Sequence, residues 1–296
     1  MNLDNLVAVA YFTGWKLVRA LPEKFAYACF EGIGAITLRR NATPIQRLRS
    51  NLQRVCPEKD SAALDQLMVD AVSSYMRYWC DTFRSPDWSR DRVKKTVTVT
   101  REELLTEPMR DGRGVVISLP HAGNWDHAGA YFCGMGFPLV TVAERVKPEA
   151  LFNKFLEYRQ NMGMEVLALD GRSMATLMQR ARDGALIALV ADRDLSRSGI
   201  DVNFFGYPAR MPAGPALLAV RTGIPLVTAF VSYTPTGIHV EFNSVEIPTQ
   251  GTDSERVAYV VQSCADLFAR GIASSPQDWH MLQRIWIDGD FQERSA

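Results

Sequence analysis

Beyond residue 95, short runs of branched apolar residues alternate with stretches of helical periodicity, and that alternation limits the chain to few folds. Val115-Val116-Ile117-Ser118-Leu119 is the clearest run, an uncharged stretch of the kind found in parallel strands covered on both faces. Val97 and Val99 alternate with threonines as a strand does, and further strand candidates are 139–143, 165–169, 185–191, 224–232 and 237–246. Helical stretches lie between them at about 101–110, 125–134, 149–161, 173–182, 212–222 and 253–271. This order predicts an α/β fold with a mainly parallel central sheet flanked by helices.

The first 95 residues carry no such alternation. Residues 4–21 read as a helix that is apolar on most sides and ends at Pro22. Its uncharged core, Asn5 to Trp15, is eleven residues, whereas a bilayer span needs about 20. A helix with so little polar face is either buried or lies partly in lipid. A second apolar helix near 23–38 leads into Arg39, Arg40, Arg47, Arg49 and Arg54, with no acidic residue among them. Such a run suits either a solvated helix face or an anionic membrane surface, where each charge contributes about 1 kcal/mol. Residues 60–84 repeat apolar positions at helical spacing and face a core. The expectation is one domain over 1–296, with a helical, membrane-associating N-terminal layer (1–95) on an α/β catalytic core (96–290).

Charge and cysteine usage narrow the class. With 33 basic and 33 acidic residues the chain lacks the excess of a nucleic-acid binder, so no nucleic-acid partner is expected. Its five cysteines are scattered and form no CxxC, which fits free thiols better than a disulfide frame.

The chemistry-bearing stretch is Leu119-Pro120-His121-Ala122-Gly123-Asn124-Trp125-Asp126. Ligands to open α/β sheets gather at the carboxyl ends of strands, and His121 follows directly on one. Gly123 lets the chain turn, Asn124 suits the N-cap of the next helix, and Asp126 falls in its first turn. With the bend between them, the Asp126 carboxylate is expected to reach back to the imidazole, fix its tautomer and stabilise the imidazolium formed during proton transfer. No Gly-x-Ser-x-Gly elbow occurs, so the attacking hydroxyl is expected to come from substrate. Donors near Gly123 and Asn124 are candidates for holding a tetrahedral oxyanion.

Pro120-His121-x4-Asp126 resembles the H-x4-D/E signature of the glycerolipid and lipid A acyltransferases. Val202-x-Phe204-Phe205-Gly206-x-Pro208-Ala209-x-x-Pro212-x-Gly214-Pro215-Ala216-x-Leu218-Ala219 and Thr222-Gly223-Ile224-Pro225-Leu226-Val227 resemble later blocks of the lipid A lauroyl/myristoyl acyltransferase superfamily. Within it the chain is most similar to the actinobacterial phosphatidylinositol mannoside acyltransferases. The resemblance implies a glycerolipid acyltransferase-like fold. It implies acyl-CoA as co-substrate with no cofactor or metal, a phosphatidylinositol mannoside acceptor, and a peripheral or monotopic enzyme on the cytoplasmic face of the plasma membrane, against its anionic surface.

By the same resemblance one carboxylate of Asp192-Arg193-Asp194 partners the catalytic histidine. The expected catalytic set is His121, Asp126 and Asp194, with Asp192 the next choice. Asn124, Trp125, Glu144, Arg159, Asp192 and Arg193 are expected at the substrate. Arg193, Arg197 and Arg210 flank Ser198-Gly199 in a loop rich in donors for phosphate. Phe204-Phe205-Gly206 and 212–218 are expected to shape an apolar wall, while His239 and His280 read as structural.

Rival readings are acylation of another glycolipid or a lysophospholipid, a metal-dependent hydrolase using His121, Asp126, His127 and His239, and a membrane-surface binding protein without catalysis. A nucleotide-binding oxidoreductase is disfavoured, since neither Gly-x-Gly-x-x-Gly nor a P-loop follows any strand.

Overall fold

The computed structural model describes residues 3–145, 148–170, 172–194 and 198–289, with side chains from residue 11 onward. Helices α1 (Leu3–Ala20), α2 (Glu23–Arg40), α3 (Thr43–Val55) and α4 (Ser61–Arg84) come first, and a short α5 (Arg90–Lys95) leads into β1 (Val97–Thr100). Then α6 (Glu103–Arg110), β2 (Val115–Leu119), α7 (Trp125–Gly134), β3 (Leu139–Ala143), α8 (Glu149–Asn161), β4 (Met164–Ala168), α9 (Ser173–Arg182) and β5 (Leu186–Val190) alternate. A hairpin of β6 (Ile200–Phe204) and β7 (Tyr207–Met211) precedes α10 (Gly214–Thr222), β8 (Leu226–Tyr233), β9 (Ile238–Ser244) and α11 (Asp253–Ser274).

Seven strands form one sheet in the order β1-β9-β8-β2-β5-β3-β4. β8, β2, β5, β3 and β4 run parallel; β9 is antiparallel to β8, and β1 pairs parallel to β9. The fully buried β2 lies inside the sheet, between β5 and β8. Along it Val116 joins one apolar core, while Val115, Ile117 and Leu119 join the other. Period-two side-chain alternation thus supplies both faces from one uncharged run.

The connections leaving β2 and β5 locate the site. After β2 the chain enters α7, whose Ala128 and Phe132 pack in the core on one face. After β5 it passes through the hairpin to α10, whose Ala216, Leu218 and Ala219 pack in the core on the other. Adjacent strands that send their helices to opposite faces leave a crevice between their carboxyl ends. His121 and Asp192 both lie there.

In the N-terminal layer, α4 buries Leu64, Leu67, Met68, Ala71 and Val72. α1 is anchored by Trp15, whose indole N–H donates to the Phe83 carbonyl at 2.9 Å and whose ring meets Phe83 edge-on. Among the described residues no helix is long and apolar enough to cross a membrane.

Two stretches differ from the sequence expectation. The apolar wall at 204–206 belongs to the β6–β7 hairpin; Pro208 is tolerated because this two-stranded unit stands outside the main sheet. The arginine-rich stretch is largely α3, and it is not all free for a surface: Arg49 pairs with Asp65 at 2.5 Å, and Arg54 with Asp288 at 2.8 Å.

Candidate active site

Parallel register sets the central contact. Leu119 on β2 lies opposite Val190 on β5, so two residues further His121 meets Asp192. His121 Nδ1 is 2.6 Å from Asp192 Oδ1, and the His121 backbone N–H donates to Oδ2 at 3.0 Å. The indole N–H of Trp279 donates to the same Oδ2 at 2.9 Å. Asp192 is completely buried, whereas the His121 side chain is 38% exposed.

Burial alone raises the Asp192 carboxyl, but the facing His121 ring and the hydrogen bonds from His121 and Trp279 outweigh it and hold the group below its ordinary range. An ionised carboxylate only accepts, so Nδ1 carries a proton, and in the neutral form of the ring it is Nε2 that holds the lone pair. Among the described residues no serine, threonine or cysteine hydroxyl or thiol is hydrogen-bonded to this ring. The geometry among the described residues is a base with its orienting acid and without a protein nucleophile.

The expected partners Asp126 and Asp194 are corrected to Asp192. Asp126 faces away: its Oδ1 accepts from Arg159 Nε at 2.8 Å and its Oδ2 from Arg159 Nη2 at 3.3 Å. The first turn of α7 carries that carboxylate toward α8 and α4, where the Tyr78 hydroxyl also approaches it at 3.4 Å. Asp194 lies two residues beyond the register match, and its backbone N–H donates to the Arg210 carbonyl on β7 at 2.8 Å.

Asn124 is the predicted N-cap, its Oδ1 accepting from the His127 N–H at 2.9 Å. It is buried, with its amide directed at Asp81. The Gly123 N–H is also occupied, donating to the Asp278 carbonyl at 2.8 Å. The Gly123 N–H and the Asn124 side-chain amide are thus both engaged within the protein. Gly123 remains obligatory: its φ is +56°, and a Cβ there would stand 2.5 Å from the Val231 carbonyl oxygen.

Trp125 does border the base. Its ring meets the His121 imidazole edge-on at 5.7 Å between centroids and stacks on Tyr78 at 4.5 Å. Glu144 is exposed just past β3, on the same carboxyl edge of the sheet. Arg193 is half-buried beside Asp192, with its Nε buried and without a hydrogen-bond partner. Arg210 is bound to Asp201 at 2.5 Å, and Arg197 lies outside the described residues.

The residues of the hydrolase reading are not assembled. His127 is buried against Thr96 (3.1 Å) and Trp88, and burial drops its imidazole to about 4. His239 bonds Thr98 and Thr100 on β1. Among the described residues no group of three His, Cys, Asp or Glu side chains is placed to hold a metal ion.

Sequence reasoning missed Trp279. The one available signal was the Asp278-Trp279-His280 cluster close to the chain's end, which carries no motif.

A family model for bacterial lipid A biosynthesis acyltransferases matches residues 2–287. A phosphatidylinositol mannoside acyltransferase of Mycolicibacterium smegmatis is 42% identical over 291 residues, covering 97% of this chain and 94% of the relative. One of Mycobacterium tuberculosis is 39% identical over 292 residues, covering 97% and 90%. The chain belongs to the bacterial lipid A biosynthesis acyltransferase family and is an acyltransferase.

Proposed function

We propose that the protein transfers a long, palmitoyl-like acyl group from acyl-CoA to a mannose hydroxyl of a phosphatidylinositol mannoside, with His121 as general base. The observation that carries the mechanism is the 2.6 Å contact between His121 Nδ1 and the buried Asp192. The acceptor class rests on the relatives' names and on identity that extends through nearly the whole chain.

The sugar hydroxyl gives its proton to Nε2 as its oxygen attacks the thioester carbon. Asp192 stabilises the imidazolium that forms. The tetrahedral intermediate then expels the thiolate of CoA, which takes the proton back. One C–O bond forms, one C–S bond breaks, and the base is regenerated. Arg193, with its unpartnered Nε, is assigned to a substrate phosphate. Trp125 and Tyr78 form an aromatic wall beside the reacting atoms.

The first two helices support a peripheral site of action. Leu17, Leu21, Phe25, Ile33 and Ile36 are exposed there, with Lys16, Arg19, Lys24, Arg39 and Arg40 on the same helices. Exposed apolar side chains among basic ones fit the cytoplasmic face of an anionic plasma membrane.

The test is to incubate purified protein with palmitoyl-CoA and a panel of phosphatidylinositol mannosides, other glycolipids and lysophospholipids, and to identify products by mass spectrometry. A palmitoyl ester on mannose, formed fastest with the mannoside acceptors, is expected. Preferential acylation of a lysophospholipid would reassign the acceptor.

A further inference from the structure

The segment 278–280 is 86 residues beyond Asp192 in sequence, yet it is built into the floor of the site. The Ala122–Trp279 pair forms an antiparallel bridge. The His280 N–H donates to the His121 carbonyl at 2.7 Å, and the Gly123 N–H donates to the Asp278 carbonyl at 2.8 Å. Main-chain bonds therefore lock the segment across His121, Ala122 and Gly123.

Side chains pin the same segment to α4. Ser74 Oγ donates to Asp278 Oδ1 at 2.7 Å and lies 2.9 Å from His280 Nε2. Asp278 Oδ2 also accepts the Tyr233 N–H at 2.9 Å. With the Ser74 proton directed at the carboxylate, its oxygen accepts from His280 Nε2–H. The His280 ring is further held between Tyr75 and Tyr78, at centroid distances of 5.4 and 5.8 Å. Trp279, fully buried, packs against Phe204 of the hairpin.

We propose that Trp279 is a positioning residue for the acyl transfer: its indole N–H, fixed by the strap that Ser74 ties to α4, holds the Asp192 carboxylate in line with His121. Asp192 follows a strand end and is the acid that orients the base, so it needs a fixed plane. The His121 backbone N–H and the Trp279 indole approach the same Oδ2, which turns Oδ1 toward Nδ1. Losing the indole donor removes one of the two restraints on that oxygen. The charged and titratable groups around this arrangement include His121 and Arg193 beside Asp192, Asp278 and His280 on the strap, Arg77 and Asp81 on α4, Tyr233 on β8, and the Asp126–Arg159 pair between α7 and α8.

The proposal rests on His121 being the base, and its test separates the two ideas. Indole 15N-labelled full-length protein shows the six tryptophan N–H resonances, with that of Trp279 assigned by its loss in Trp279→Phe. The Trp279 resonance is expected to be shielded from solvent exchange and to shift markedly in Asp192→Asn, whether or not His121 is the base. In Trp279→Phe, kcat for acyl transfer is expected to fall about ten- to a hundredfold, as for a lost hydrogen bond to a charged group, with KM for acyl-CoA within about twofold of wild type.

Ser74→Ala disturbs the strap without opening a large cavity, and it is expected to lower kcat in the same direction by a smaller factor. It carries the test if Trp279→Phe does not fold. A Trp279 resonance indifferent to Asp192→Asn, or a folded Trp279→Phe enzyme with unchanged kcat, overturns the proposal. An inactive His121→Ala beside either result would leave the base assignment standing.

Discussion

The guanidinium of Arg159 grips the carboxylate of Asp126 with two hydrogen bonds at the junction of α8 and α7, and both side chains are largely withdrawn from water. Burial works against the Arg159 charge, but Asp126 and the nearby Tyr78 outweigh it and raise the group above its ordinary value. The pair fixes α8 against the first turn of the helix that follows His121. Removing one partner leaves the other charge buried and uncompensated, at a cost of about 3–5 kcal/mol. Asp126→Leu and Arg159→Met should each lower the thermal midpoint strongly, and the double variant should recover much of the loss. Calorimetry on the three proteins checks this. Strict additivity would show that the two side chains do not act as a pair.

Gly123→Ala should disable the enzyme without unfolding it. The left-handed backbone and the nearby Val231 carbonyl give a Cβ no place, so the turn must move, carrying His121 with it. A displacement of about 1 Å at a reacting group costs about a hundredfold in rate. Turnover and circular dichroism, measured side by side, distinguish a displaced site from a lost fold.

Acid should destabilise the protein through two buried imidazoles. Burial drops His127 from 6.5 to about 4 and His280 from 6.5 to about 3, the latter helped by His121. Below pH 6.5 the unfolded chain takes up protons that the folded chain refuses, so stability falls with falling pH. Each ring contributes a slope of about 1.4 kcal/mol per pH unit until it protonates in the fold. Asp81 and Asp278 act in the opposite sense: burial raises both carboxyls from 3.8, so the stability they add at low pH is lost as pH rises through their folded values. Urea unfolding between pH 6.5 and 5 should show a shallower slope for His127→Gln than for wild type, by about one ring's share. Equal slopes would mean that His127 is not held neutral.

Charge placed on the exposed face of α2 should loosen attachment to membranes. Phe25 is 66% exposed and Ile36 53%. Burying one such side chain in lipid contributes about 1.5–3 kcal/mol, so Phe25→Asp should weaken binding to anionic vesicles about tenfold or more. Vesicle flotation measures it, and unaltered binding would point to another surface.

Much of the architecture was legible because it is written in local periodicity. The seven strands of the main sheet lie within a few residues of their apolar runs, and the helices from α6 to α11 follow their predicted spans. His121 was legible for the same reason, as a histidine directly after a buried run. Asp192 was harder, since choosing it over Asp194 requires the β2–β5 register that sets position 121 opposite 192. Trp279 was out of reach, because its bond to Asp192 spans 87 residues and no local pattern announces it. The hairpin was hidden by Gly206 and Pro208, which break the alternation of a strand.

The most direct measurement is the single-turnover rate of acyl transfer to the glycolipid acceptor in His121→Ala and Asp192→Asn, with acyl-CoA binding followed in parallel. If the buried carboxylate and its imidazole act as base and orienter, His121→Ala should fall at least about a hundredfold and Asp192→Asn about 10²–10⁴-fold, with acyl-CoA bound as in wild type. A His121→Ala enzyme that kept about a tenth of the wild-type rate, well above that range, would contradict the assignment of this ring as the base.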